Sequence, residues 1–247
     1  MLSRIRAALG RDAKSEPVEM MPFDVRATSQ SFEELLAQFS TEMELVGGHV
    51  TTVATAGEVK SYLDKIVSKD TQLEAALSDA VVLREFSIAE FLSAKGLRVV
   101  PSLPEFAATD VEQSERAAKG ESRELYEPHL LERYKRALLK ARTGITSADY
   151  AIAETGSLVL VSGGEHHRLT SLLPFIHICL LDARRIVPNL HDLLARIKAE
   201  HGSSQSTPPA ITLITGPSRT ADIEHTLVTG IHGPNELHVL IYNATSS

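Results

Sequence analysis

The sequence predicts an α/β fold with a mostly parallel central sheet flanked by helices. Short apolar runs alternate with amphipathic helical patterns from residue 32 to residue 100. That is the rhythm of strand–helix–strand crossovers, which are right-handed and pair their strands in parallel. In the second half, several apolar runs end at glycine-bearing corners, where open α/β sheets usually place their ligands. With 247 residues, 43% apolar and 23% charged, the chain can fill the core of one large α/β domain or two small ones.

In chain order, Leu2, Ile5, Ala8 and Leu9 share one face of a short amphipathic helix over residues 2–9. Asp12 to Val25 is polar, bears proline and lacks periodicity. Residues 1–25 are therefore expected to form an N-terminal helix and flexible linker, and 26–247 the α/β domain. A helix is expected over Phe32 to Val46, then a strand from His49 to Ala54. Thr55-Ala56-Gly57-Glu58 opens the next helix, which runs to about Lys69. Ala80-Val81-Val82-Leu83 reads as a strand, Ile88 to Lys95 as a helix, and Leu97 to Val100 as another strand. The stretch near 101–125 breaks the rhythm with prolines, charges and few large apolar residues, and is expected to be a long surface excursion. Tyr126 to Arg142 is helical, with Leu130, Leu131, Tyr134, Leu138 and Leu139 as its apolar stripe. Its basic residues Arg133, Lys135, Arg136, Lys140 and Arg142 read as a solvated face. No internal repeat stands out.

Ala210-Ile211-Thr212-Leu213-Ile214 reads as a buried strand that breaks at Gly216-Pro217. Ile223, Leu227 and Val228 then suggest a helix capped by Ser218 and closing at Gly230. The free N–H groups of such a helix start, together with the Arg219 guanidinium, suit an anion. Thr215, Gly216, Ser218, Arg219, Thr220 and Asp222 are thus candidate ligand-binding residues. Asp222 could pair with Arg219 and orient it, while Glu224 complements the helix start. Ala148 to Val161 looks like two strands folded about Glu154-Thr155-Gly156. Gly230-Ile231-His232-Gly233-Pro234 leads into a last strand, Leu237 to Tyr242. His232, on a tight loop between glycines, could act as acid or base near neutral pH.

These corners carry a family resemblance. Gly144-Ile145-Thr146, Ala153-Glu154-Thr155-Gly156, Arg168 with Ser171-Leu172-Leu173-Pro174 and His177, the run Thr215 to Glu224, and His232-Gly233-Pro234 together resemble the lactate-utilization (LUD) domain family. The likeness covers nearly the whole chain and is most specific over residues 144–242. It implies a fold similar to the sugar-phosphate isomerase and CoA-transferase group, the NagB/RpiA/CoA-transferase-like fold. It also implies a role beside two partner proteins that oxidise L-lactate to pyruvate in bacteria, one of which carries iron–sulfur clusters. On this reading the chain is a non-redox subunit or accessory protein that binds a small anionic ligand. The other reading is a stand-alone enzyme of that fold group acting on a small acyl or phosphate compound. CoA-transferases of the similar fold use a loop glutamate before a small residue and glycine as nucleophile. Glu154 matches that position, so Glu154 and His232 are the candidate catalytic residues. Thr155, Gly156, Arg168, His177 and Gly233 join the ligand-binding set. An arginine such as Arg168 can grip a carboxylate or phosphate with two hydrogen bonds.

The remaining composition narrows the function classes. A net charge of −7 argues against nucleic acid as the main partner. The single cysteine, Cys179, lies in an apolar strand pattern and cannot hold an iron–sulfur cluster, which needs about four ligands. Clusters are therefore expected on a partner chain, and no cofactor is evident here. His166-His167 are adjacent and no His-Glu-x-x-His or Cys-x-x-Cys spacing occurs, so no metal site is expected. No run reaches the roughly 20 apolar residues of a membrane span. The N-terminus lacks an apolar signal core, which points to the cytoplasm. Self-association is compatible with all of this.

Overall fold

The computed structural model describes residues 30–68, 73–109, 128–161, 168–201, 210–221, 227–229 and 233–243. Helix α1 (Phe32–Leu45) starts with a reciprocal cap: Glu34 N–H donates to Ser31 Oγ (3.2 Å), and Ser31 N–H donates to the Glu34 carboxylate (2.7 Å). It buries Phe39 and Met43 and ends where Gly47 turns to φ +90°, letting Gly48 N–H reach Met43 O (2.9 Å). Strand β1 (His49–Val53) leads through Thr55, whose hydroxyl accepts from Glu58 N–H (3.2 Å), into α2 (Ala56–Val67). Then come β2 (Glu74–Leu77), α3 (Val81–Glu85), α4 (Ile88–Ala94), β3 (Arg98–Val100), α5 (Leu103–Thr109) and α6 (Pro128–Lys140). The second half holds β4 (Thr143–Ala148), β5 (Tyr150–Ile152), β6 (Ser157–Val161), α7 (Arg168–Leu172) and β7 (Ile176–Asp182). A 3₁₀ turn (Ala183–Arg185) precedes β8 (Ile186–Val187), α8 (Leu190–His201), β9 (Ile211–Ile214), β10 (Arg219–Ala221), β11 (Leu227–Thr229) and β12 (Glu236–Tyr242).

Six strands form one sheet in the order β1-β12-β7-β4-β2-β3, and every pair is parallel. Its central strand β7 is buried from Ile176 to Leu181. Near-continuous apolar runs of this kind need helices on both faces. On one face Val59 and Leu63 of α2, Leu83 of α3 and Leu92 of α4 pack on Ile145, Ile178, Leu180 and Leu240. On the other, Leu103 of α5 and Leu130, Tyr134 and Leu138 of α6 cover Ala76 and Val100. Beside them Phe39 and Met43 pack with Cys179, Leu181, Leu237, Val239 and Ile241.

A second sheet, in the order β8-β5-β6-β9, closes that side. Its inner face gives Ala151 and Leu158 to the core beneath α1. Its outer face gives Tyr150, Ile152, Val159 and Val161 to α8 through Leu193 and Ile197.

The expected elements hold over most of the described chain, with four differences. The strand expected at Ala80 to Leu83 is helix α3, and the strand is Glu74–Leu77. Ala75 and Ala76 are small enough to lie buried between β3 and β4, with Leu77 buried beside Ile145, whereas Val81 is 45% exposed beside buried Val82 and Leu83. The strand expected to be buried at Ala210 to Ile214 is a sheet edge, with Ile211 and Leu213 exposed. Where a helix was expected from Ser218 to Gly230, residues 219–221 and 227–229 are antiparallel strands, with Arg219 opposite Thr229 and Ala221 opposite Leu227. Their Thr and Val residues favour strand, and three apolar positions were too few to fix a helical period. Within the excursion near 101–125, Leu103–Thr109 is helical. Residues 1–29, including the expected helix over 2–9, lie outside the described residues.

Gly156 sits at φ +59° against the backbone of Glu42 and Met43, while Gly96, at φ +83°, has open space around it. Gly156→Ala should lower unfolding free energy by about 3 kcal/mol or more, since overlap adds to left-handed strain. Gly96→Ala should lower it by only about 1 kcal/mol. Denaturant titration of both variants checks this, and equal losses would contradict the packing of Gly156 on α1.

Candidate functional site

The predicted corners meet around the C-terminal end of α1. Gly156 abuts Glu42 and Met43, Gly216 abuts Val46, and the Arg219 guanidinium lies on Gly47. A Cβ on Gly216 would sit 2.8 Å from the Val46 carbonyl oxygen. A hydroxyl chain ties the two corners: Thr155 Oγ1 is 2.7 Å from Ser157 Oγ, which is 2.6 Å from Thr215 Oγ1. Ser218 N–H donates to Pro234 O (2.8 Å), and a Cβ on Gly233 would lie 3.2 Å from Ser218 Cβ and 3.6 Å from Leu172. Glu154, Thr155, Arg168 and Arg219 are exposed. Thr220 lies in β10, whereas Asp222 and His232 fall outside the described residues.

The electrostatics differ from those expected. The corner surrounds a helix C-terminus, which carries about half a negative elementary charge, rather than a helix N-terminus. The last turn of α1 contains no basic residue, and Arg219 supplies the missing cation across space. Gly47 and Gly48 precede β1, Gly233 and Pro234 precede β12, and Asn235 N–H donates to Phe175 O (2.8 Å) just before β7. The cluster thus stands at the amino ends of the parallel strands.

His177, the second residue of β7, is wholly buried and lies 2.8 Å by Nε2 from Thr146 Oγ1. Its Nδ1 has no partner among the described residues. Burial, and then the nearby His238, push its pKa down from 6.5 to about 3, so the imidazole is neutral. His238 itself points to the other face of the sheet, where it stacks on His49 (4.8 Å between centroids) and bonds the Tyr62 hydroxyl (2.9 Å). Burial pushes the Cys179 thiol up to about 12, which leaves it an inert core side chain.

The carboxyl ends of β1, β7 and β12 hold a cavity of about 770 Å³. Thr55 and the start of α2 form one wall and Phe86 another, while Asp182, Arg184 and Tyr242 close the strand ends. Arg184 grips Asp182 with Nε (3.0 and 3.1 Å) and Nη2 (2.6 Å). Burial alone would raise the Asp182 pKa, but the hydrogen bonds and charge of Arg184 outweigh it and hold the carboxyl low. Burial, with the Asp182 and Glu85 carboxylates nearby, pushes Tyr242 up to about 12 and keeps it a hydrogen-bond donor. Its ring meets Phe86 edge-on at 5.6 Å. Sequence reasoning missed Arg184 and Tyr242. The available signal was position, since each lies at the end of a correctly read apolar strand. Among the described residues no group of His, Cys, Asp and Glu is placed to hold a metal ion, and no helix is long and apolar enough to cross a membrane.

An all-parallel six-stranded sheet with helices on both faces, a small second sheet and a cavity at the strand carboxyl ends defines an open-sheet α/β protein. The chain belongs to the LUD domain family, whose model matches residues 36–242. It is 29% identical to Lactate utilization protein C of Halalkalibacterium halodurans, over 94% of this chain and 92% of that protein. It is 28% identical to Lactate utilization protein B of Shouchella clausii over 83% of this chain, which is 47% of that longer protein. The crystal structure of a DUF162 family protein from Deinococcus radiodurans shares the fold, with a TM-score of 0.51 and 19% identity over 87% of this chain and 99% of that one.

The depressed His177 pKa has a signed consequence. Below pH 6.5 the unfolded chain takes up a proton that the folded chain refuses until about pH 3, so stability falls across that window. The loss should be on the order of 1 kcal/mol per pH unit from this residue. His177→Gln should flatten that slope even if it lowers stability at pH 7; parallel slopes in denaturation from pH 7 to 4 would refute the assignment.

Proposed function

We propose that this protein is a non-redox component of a bacterial L-lactate utilization system, acting by binding rather than by electron transfer. The observation that carries the reading is the similarity to Lactate utilization protein C along 94% of the chain. The similarity to about half of Lactate utilization protein B suggests that one system uses the same module in two of its proteins. The single cysteine supports the non-redox role: with one buried thiol the chain has no ligand set for an iron–sulfur cluster, so electrons pass through a partner. Its partners on this reading are the two other lactate-utilization proteins, in the cytoplasm.

The ligand on this reading is a small carboxylate. The carboxyl-end cavity offers it the Arg184 guanidinium, the Tyr242 hydroxyl and Thr55, with Asp182 and Glu85 as opposing charges that favour a ligand able also to donate a hydrogen bond, as a hydroxy acid does. The amino-end corner offers Arg168 and Arg219, with Glu154 as its exposed acid–base candidate.

Lactate oxidation by the reconstituted three-protein system should fall at least about tenfold when this chain is omitted, and the chain should co-purify with its partners. An unchanged rate and assembly would end the proposal. In calorimetric titration with L-lactate and pyruvate, Arg184→Ala should weaken binding about tenfold or more while Arg219→Ala leaves it near wild type. The reverse pattern would move the ligand to the amino-end corner.

A further inference from the structure

β9 is the outermost strand of the second sheet. Its inner edge pairs with β6, Ile211 opposite Val161 and Leu213 opposite Val159. Among the described residues nothing pairs with its outer edge. Exposed edges of this kind are normally protected by lysine, proline, a bulge or a covering segment, because their free N–H and C=O groups accept another strand. Ala210 to Thr215 carries no charge and no proline. Ile211 is 38% and Leu213 47% exposed, on the same face as Val159 and Val161. Helix α8 covers Tyr150, Ile152, Val159 and Val161 of that face through Leu193 and Ile197, while Ile211 and Leu213 lie outside that cluster and stay exposed.

We propose that β9 pairs edge to edge with β9 of a second copy of this chain, antiparallel about a two-fold axis at Thr212. The two second sheets then become one continuous sheet. The edge asks for a strand, since only a strand satisfies its row of backbone groups. The pattern selects a like strand: Ile-Thr-Leu about Thr212 alternates apolar, polar, apolar in both directions, as a self-complementary interface requires. In that register Ile211 of one copy faces Leu213 of the other, and the four side chains bury one another beside Val159 and Val161. Charge points the same way. Each copy carries −7, so two copies approach most readily at an uncharged edge.

Sedimentation and light scattering on the full chain should give twice the 26.9 kDa chain mass. Ile211→Lys with Leu213→Lys should weaken the dimer by at least about 100-fold while the circular dichroism spectrum stays that of the wild type, because both side chains are at the surface. Thr212→Cys should form a disulfide-linked dimer under mild oxidation, since residues paired across a two-fold antiparallel axis lie within bridging range and Cys179 is buried. A wild-type monomer up to about 100 μM would overturn the proposal, whether the β9 amides exchange freely or are protected by the chain's own residues. So would a dimer that survives the lysine pair and forms no Thr212→Cys cross-link, because its interface lies elsewhere.

Discussion

The double-sided burial of β4, β7 and β12 governs the rest of this structure. Parallel strands with apolar side chains on both faces cannot leave either face wet. The helices α2, α3 and α4 satisfy one face. The other is too broad for helices alone, and α1, α5, α6 and the second sheet share it. His177, wholly buried on β7, is held neutral there, which is the state a dry interior tolerates. Because the second sheet must press on β7 and β12 beside α1, its turns are driven against the end of that helix. The glycines at 47, 156 and 216 mark the points where backbone meets backbone or guanidinium with no room for a methyl group.

This arrangement gives the sheet two unlike ends. At the amino ends, distant corners lock onto α1, and Arg219 neutralises a helix terminus that would otherwise face only carbonyl groups. At the carboxyl ends the turns after β1, β7 and β12 splay apart and leave a cavity walled by α2 and α3. Tight closure at one end and an opening at the other is the division of labour common to open α/β sheets, where the carboxyl ends bind ligands.

Much of the fold was legible because it rests on local patterns. Thr55 with Glu58 marked the start of α2, and Glu154-Thr155-Gly156 a turn between two strands. The convergence of the glycine corners was also legible, since each glycine stood where a hydrophobic run stopped. What they converge upon was not. Whether a corner meets a helix N-terminus or C-terminus depends on which element lies across from it in space, and α1 is far from Thr215 along the chain. The pairing of residues 219–221 with 227–229 escaped for a related reason: Leu227, four residues after Ile223, suits a helix, and only pairing distinguishes Leu227–Thr229 as strand. Arg184 and Tyr242 follow apolar strands without any glycine signature, so nothing local singled them out.

The position of β12 carries a consequence for biosynthesis. This strand, late in the chain, lies between β1, near the start of the described residues, and β7. Until residues 236–242 have been synthesised, β1 has no neighbour in the sheet and the apolar flank of β7 stays open. Folding of this sheet therefore cannot be completed progressively from β1 onward, and nascent chains must persist with unpaired strand edges until β12 has been translated. A truncation that removes β12 would cut β1 off from the four strands β7-β4-β2-β3, with no strand to join them.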